Sequence, residues 1–139
     1  LIETADTEEE FYDYYQQYLD AFIAEFDDRI SNIQRKIDNL EKARPQEWKS
    51  TINNNGLIIE SAESKINSYY KKMDIYYQNQ LSAAKQALKY SSELTEDEIE
   101  HLVDTANDAI KSIHDNAIAK AEDLKNYQES VYSALTNEV

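Results

Sequence analysis

The sequence predicts an all-α fold, an elongated up-down-up antiparallel three-helix bundle, on three observations. Gly and Pro occur once each in 139 residues. That leaves almost nothing to punctuate the turns that sandwiches, barrels and alternating strand-helix folds need about every dozen residues. Apolar side chains recur at helical spacing along three long segments. Two Thr-x-x-Glu patterns, Thr7 to Glu10 and Thr95 to Glu98, mark helix starts, because each side chain of such a box satisfies the other residue's backbone N–H. With 41% hydrophobic residues and 11 Tyr, the chain has enough apolar surface for one core, and its length fits a single helical-bundle domain over 1–139.

The first stripe, Phe11, Tyr15, Tyr18, Phe22, Phe26, Ile30, Ile33, Ile37 and Leu40, advances about 3.6 residues per step and predicts a helix over 7–42. Pro45 ends it and suits the first turn of the next helix, where its missing N–H would have no partner. The second stripe runs Trp48, Ile52, Ile59, Ala62, Ile66, Tyr69, Met73, Tyr76, Leu81, Ala84 and Leu88, and it skips one turn at Asn53 to Gly56. The register agrees on both sides of the gap when that turn is counted, so one helix over 45–90 is expected. A break there, favoured by the Asn-Gly dipeptide, would give four helices. The third stripe, Ile99, Leu102, Ala106, Ile110, Ile113, Ala117, Ala121, Leu124, Tyr127, Val131 and Leu135, predicts a helix over 95–137. Corners near Lys42 to Pro45 and Ser91 to Leu94 are short, which forces successive helices to lie antiparallel. Helices of this length would be on the order of 55 to 70 Å long.

Charge narrows the function classes. With 28 acidic and 14 basic residues the formal net charge is −14, which removes the electrostatic basis for binding nucleic acid or anionic lipid. No run of 18 apolar residues occurs, so nothing spans a membrane as a helix. Partners that carry charge should be basic. The acids are concentrated: residues 1–30 hold ten acids and one base, and residues 93–108 hold seven acids and no base. In the antiparallel threading these stretches meet at one end. Part of this is the preference of acids for helix N-termini, and the remainder offers a docking surface for a basic partner.

Catalytic and metal chemistry find little footing. His101 and His114 are 13 positions apart, about 220° around a helix, and cannot share a metal. Glu98 and His101 have the Glu-x-x-His spacing of di-iron bundles, but there is no second copy, and the capping box accounts for Glu98. No Gly-x-Ser-x-Gly elbow is present, and one Gly cannot cradle a phosphate. Without Cys there is no thiolate nucleophile or disulfide framework. Acid pairs one turn apart, such as Asp104 with Asp108 and Glu100 with Asp104, read as a solvated face. The expectation is a protein that is not an enzyme and uses no metal or cofactor.

Two features point to binding. Tyr12, Tyr14, Tyr15 and Tyr18 on the first helix should face Tyr69, Tyr70, Tyr76 and Tyr77 on the second, with residue 18 opposite about 69. Doubled tyrosines span more than one stripe, so some rings must lie at the surface, where Tyr offers contact area at low entropy cost. In that register Phe11 faces about Tyr76, the first helix runs out, and the hairpin of the second and third helices projects beyond it. Tyr76, Tyr77, Leu81, Ala84, Leu88, Leu102, Val103 and Ala106, with Ile99, would then line an uncovered apolar groove. Its occupant would be the chain's own Leu1 and Ile2, a second copy of the protein, a partner helix or an apolar ligand.

In length, helix count and composition the chain resembles cysteine-free secreted helical bundles such as the insect exchangeable apolipoproteins and the mite allergens of group five. No motif carries the likeness, and abundant Tyr departs from the apolipoprotein pattern. The reading that follows is a secreted binding protein that engages a protein partner through an acidic, tyrosine-rich end. A carrier of lipid or other apolar molecules and a coiled-coil segment of a larger assembly are its rivals. The start at Leu1 rather than Met suits a processed secretory chain, and a trimmed one equally.

Overall fold

The computed structural model describes the backbone of residues 2–137 and the side chains from residue 7 onward, that of Ser91 excepted. The chain is a three-helix bundle: α1 (Ile2–Lys42), a 3-10 turn (Pro45–Glu47), α2 (Trp48–Ser91) and α3 (Glu96–Asn137). No strand occurs among the described residues. The packing divides into two compact units, each taking a stretch of all three helices. One comprises Leu1–Ala24 with Tyr69–Ile113, the other Glu25–Ser68 with His114–Val139.

In the first unit the buried residues are Phe11 and Phe22 of α1, Tyr77, Leu81, Ala84 and Leu88 of α2, and Ile99, Val103, Ala106 and Ile110 of α3. The second unit buries Phe26, Ile30, Ile33, Ile37 and Leu40 with Ile59, Ala62 and Ile66 and with Ala117, Ala121 and Leu124. Each Phe or Ile taken wholly out of water stabilises by about 1.5–3 kcal/mol, so these stripes, more than helix propensity, hold the helices together. Successive helices are antiparallel in both units. Tyr18 lies on Tyr77 and Phe22 on Tyr70. Gln78 bonds Asn107, Lys89 approaches Glu96, and Asn67 bonds His114.

The capping box at α3 is formed as the sequence predicts. Thr95 Oγ1 accepts the Glu98 N–H at 3.2 Å, and Glu98 Oε1 accepts the Thr95 N–H at 3.2 Å. The box expected at Thr7 is not a helix start, since α1 already begins at Ile2. Residues 2–6 contain no Gly or Pro to break a helix. Leu1 lies outside the described residues.

The first corner also differs from expectation. Arg44 is extended, with φ −72° and ψ 149°, as the clash with a following proline ring requires. Pro45 then opens the 3-10 turn, and α2 starts at Trp48. The Trp48 indole N–H closes the corner by donating to the Ala43 carbonyl at 3.1 Å. The register differs from expectation in the first unit as well: Tyr18 faces Tyr77, with ring centroids 5.3 Å apart, instead of Tyr69, which packs on Phe22.

α2 is continuous through Asn53–Gly56, and the skipped turn of its stripe is filled by Asn55. This side chain is buried, and its Nδ2 donates to the Lys36 carbonyl of α1 at 2.8 Å and to Gln128 Oε1 of α3 at 2.7 Å. Gln128 is likewise buried. It takes the inward place expected of Tyr127, which is exposed. Tyr77 similarly replaces Tyr76, because a step of four from Met73 and four more to Leu81 keeps the stripe straight.

Gly56 sits inside α2 with an ordinary helical backbone, and a Cβ added to it meets nothing within 4 Å. In dilute solution Gly56→Ala is therefore expected to raise stability by about 0.5–1 kcal/mol, the helix-propensity difference. Urea unfolding followed by circular dichroism checks this, and an unchanged or lower midpoint contradicts it.

Candidate functional site

The acidic stretches do come together, in the first unit. Glu8 and Tyr12, one turn apart on α1, line a groove with Leu94 of the α2–α3 connection and with Asp97, Glu98, His101 and Leu102 of α3. Leu102 is half-buried. Tyr12 is 51% exposed, and its ring stands edge-on to Phe11 at 5.9 Å, which anchors one side of an otherwise solvent-facing aromatic. Glu98 is held by the capping box, so its carboxylate has a fixed place on the groove wall.

The charge of this groove follows from which face of α3 each acid occupies. Glu96 and Glu100 look toward α2, where Lys89 lies 3.8 Å from Glu96 and Lys85 pairs with Glu100. Glu98 lies on the side of α1, where Glu8 shares its groove, and Asp97 sits between the two sides, lining this groove and also the pocket that holds Lys85 and Lys89. The groove is thus lined by three carboxylates, one imidazole, one tyrosine and two leucines, with no lysine or arginine among its lining residues. Such a surface attracts cationic groups and also offers apolar and aromatic area for their aliphatic stems.

The apolar overhang expected from the sequence is absent. Tyr77, Leu81, Ala84, Leu88, Val103 and Ala106 are all buried, Leu88 to 0% exposure. Two causes combine: α1 starts at Ile2, and the corner shifts its register so that Phe11, with Thr7 and Tyr14, lies beside Ala84 and Ala87 of α2 rather than Tyr76. Tyr76 is 55% exposed. Of the residues expected to form the site, only Leu102 lines the acidic groove. Glu8, Asp97, Glu98 and His101 fall outside the apolar pattern; the base-free run of acids at 93–108 marks the last three, the acid-rich stretch 1–30 marks Glu8, and Tyr12 belongs to the tyrosine cluster.

The tyrosines sort into two sets. Tyr18 packs on Tyr77, and Phe22 packs edge-on to Tyr69 at 5.7 Å and tilted to Tyr70 at 5.7 Å. Tyr15 adjoins this lattice, and partial burial raises its pKa. Burial, and to a lesser degree Tyr15, Asp74 and Tyr70, drives the Tyr77 phenol far above its usual range. Its hydroxyl is buried with no partner. Tyr12, Tyr14, Tyr76, Tyr90 and Tyr127 are the exposed set.

His101 lies in the groove of the first unit, whereas His114 belongs to the second, where its ring contacts Phe26 and its nitrogens lie 2.7 Å from Asn67 Oδ1 and 3.1 Å from Asp115 Oδ1. Among the described residues no three or more His, Asp or Glu side chains converge on a metal position. No helix of the described residues is long and apolar enough to cross a membrane. The chain matches no protein-family model, and no curated protein or solved structure is detectably similar to it.

The second unit holds an acid pair that crosses between helices and so escapes any count along one of them. Glu63 of α2 is half-buried against Glu122 of α3, and one carboxylate oxygen, Oε1, is buried without a partner. Burial, then a shared hydrogen bond with Glu122 and that residue's charge, raise the Glu63 pKa above 4.5; Glu60 adds to this and Lys125 opposes it. A raised folded-state pKa means the associated stability is present in acid and is lost as pH rises through the folded value. Glu63→Gln is expected to raise the melting temperature at pH 7 relative to the parent chain, and the difference should vanish below about pH 4. Thermal melts of both proteins across this range check it. A constant difference at all pH values contradicts it.

Proposed function

We propose that the protein is a non-enzymatic binding module that takes a basic, partly apolar segment of a protein partner into the groove between the starts of α1 and α3. The observation that carries this is the base-free lining of that groove. Lysines of α2 pair with Glu96 and Glu100 and share a pocket with Asp97, whereas the groove that Asp97 and Glu98 form with Glu8 is lined by no lysine or arginine. Acids that served only helix start chemistry would need no aromatic partner. Tyr12 is held at the rim by Phe11 and presents half of its surface, as binding tyrosines do. Leu94 and Leu102 supply an apolar strip for the side chains that separate lysines in an amphipathic segment.

The test uses a synthetic helical peptide with lysines on one face and leucines on the other, and a second peptide in which glutamates replace the lysines. Isothermal titration should show binding of the basic peptide alone, weakening as salt rises. Tyr12→Ala and Asp97→Asn should each weaken it by about tenfold, on the scale of a central interface residue. Equal affinity for both peptides, or no change in either variant, rules this groove out. Apolar ligand retained by the native protein in mass spectrometry would favour the carrier reading instead.

A further inference from the structure

The opposite character appears on one face of α2 in the second unit. Lys49, Ile52, Asn53, Gly56, Leu57 and Glu60 recur at steps of three, one, three, one and three, and together they line a shallow groove against α3. Leu57 is 65% exposed, as Ile75 is in the first unit, but Leu57 alone of the two lies in a groove, beside Ile52. Gly56 costs helix stability, yet neither its backbone nor any neighbouring atom requires glycine. Within one chain, then, a large side chain faces water and a missing side chain leaves open space beside it. Both make sense if a second backbone approaches here.

The order of these six residues identifies that backbone. Read from either end they form a complementary series about a point between Asn54 and Asn55. A two-fold axis through that point sets Lys49 against Glu60 of the second copy, Ile52 against its Leu57, and Asn53 against its Gly56. Every pair is then made twice, as a two-fold interface requires. Opposite charges stand at the ends, an Ile52–Leu57 pair lies inside each, and Asn53 meets Gly56 nearest the axis; end charges of this kind select partner and orientation in antiparallel helix pairs. Tyr132 of α3 lies in the same groove and extends the apolar strip beside Ile52. At the Glu60 end, Lys125 lies near the Glu63 carboxylate, which it stabilises in the charged form.

We infer that the protein forms a two-fold homodimer through this face of α2, with the helices antiparallel, Gly56 at the close approach and two Lys49–Glu60 pairs at the ends. The surface is distinct from the acidic groove, so one chain carries a self-association face and a partner face.

Sedimentation equilibrium of the full chain tests this. The wild type should reach twice its 16.2 kDa mass as concentration rises. Leu57→Asp should lose the dimer while keeping its helical circular dichroism, since the residue is exposed. Lys49→Glu and Glu60→Lys should each weaken association by about tenfold or more, because each places like charges in both end pairs. Mixing those two variants should restore a dimer, now a heterodimer, because every end pair is again of opposite sign. A wild type that stays monomeric overturns the proposal. So does a dimer that survives Leu57→Asp, which would lie on another face, and so does a mixture of the two charge variants that shows no recovery.

Discussion

The buried amide contact between Asn55 and Gln128 is the constraint on which the arrangement of the helices depends. Asn55 reaches α1 through the Lys36 carbonyl and α3 through the Gln128 side chain, so one residue of α2 fixes its position against both neighbours. Isoleucines and alanines along the stripes would tolerate a slip by one turn, because one apolar side chain replaces another. Amides would not. A slip would leave Asn55 and Gln128 facing hydrocarbon without partners, at a cost of about 1–3 kcal/mol for each stranded group. This is how a single polar residue in an apolar seam selects register in coiled coils.

Electrostatics then decide how the surface is used. The acids are not spread evenly around α3. Glu96 and Glu100 have lysines opposite them, whereas Glu98 shares its groove with Glu8, and no lysine or arginine lines that groove. Under the proposed function a cationic partner would supply the missing charge. Glu63 and Glu122 meet across helices in the second unit, where a proton serves instead.

Much of the fold was legible because apolar periodicity reports directly on burial. The three stripes, the antiparallel order, the Thr95 capping box and the continuity of α2 all follow from spacing. The errors have a common origin in residues that such periodicity cannot weigh. Asn55 and Gln128 are polar and in register, so a search for apolar side chains sees a gap at one and chooses Tyr127 in place of the other. The gap of seven positions between Ile52 and Ile59 was nonetheless the mark of Asn55, which divides it into steps of three and four. The first corner was expected near Lys42 to Pro45, although proline sterics and the Trp48 indole carry it on to Glu47. That extension and the start of α1 at Ile2 leave the residues first assigned to a binding groove buried, Leu102 and Tyr76 excepted. The acidic groove survived because charge counts do not depend on exact register.

The central claim is that Asn55 and Gln128 act as one unit. A double-mutant cycle measures this directly: urea unfolding of the parent chain, Asn55→Ala, Gln128→Ala and the doubly substituted chain. A coupling energy of about 1–3 kcal/mol is expected, with the double substitution costing less than the sum of the two single ones, since the second partner is no longer stranded. Additive effects within about 0.5 kcal/mol would contradict the account and leave the register to the apolar stripes alone.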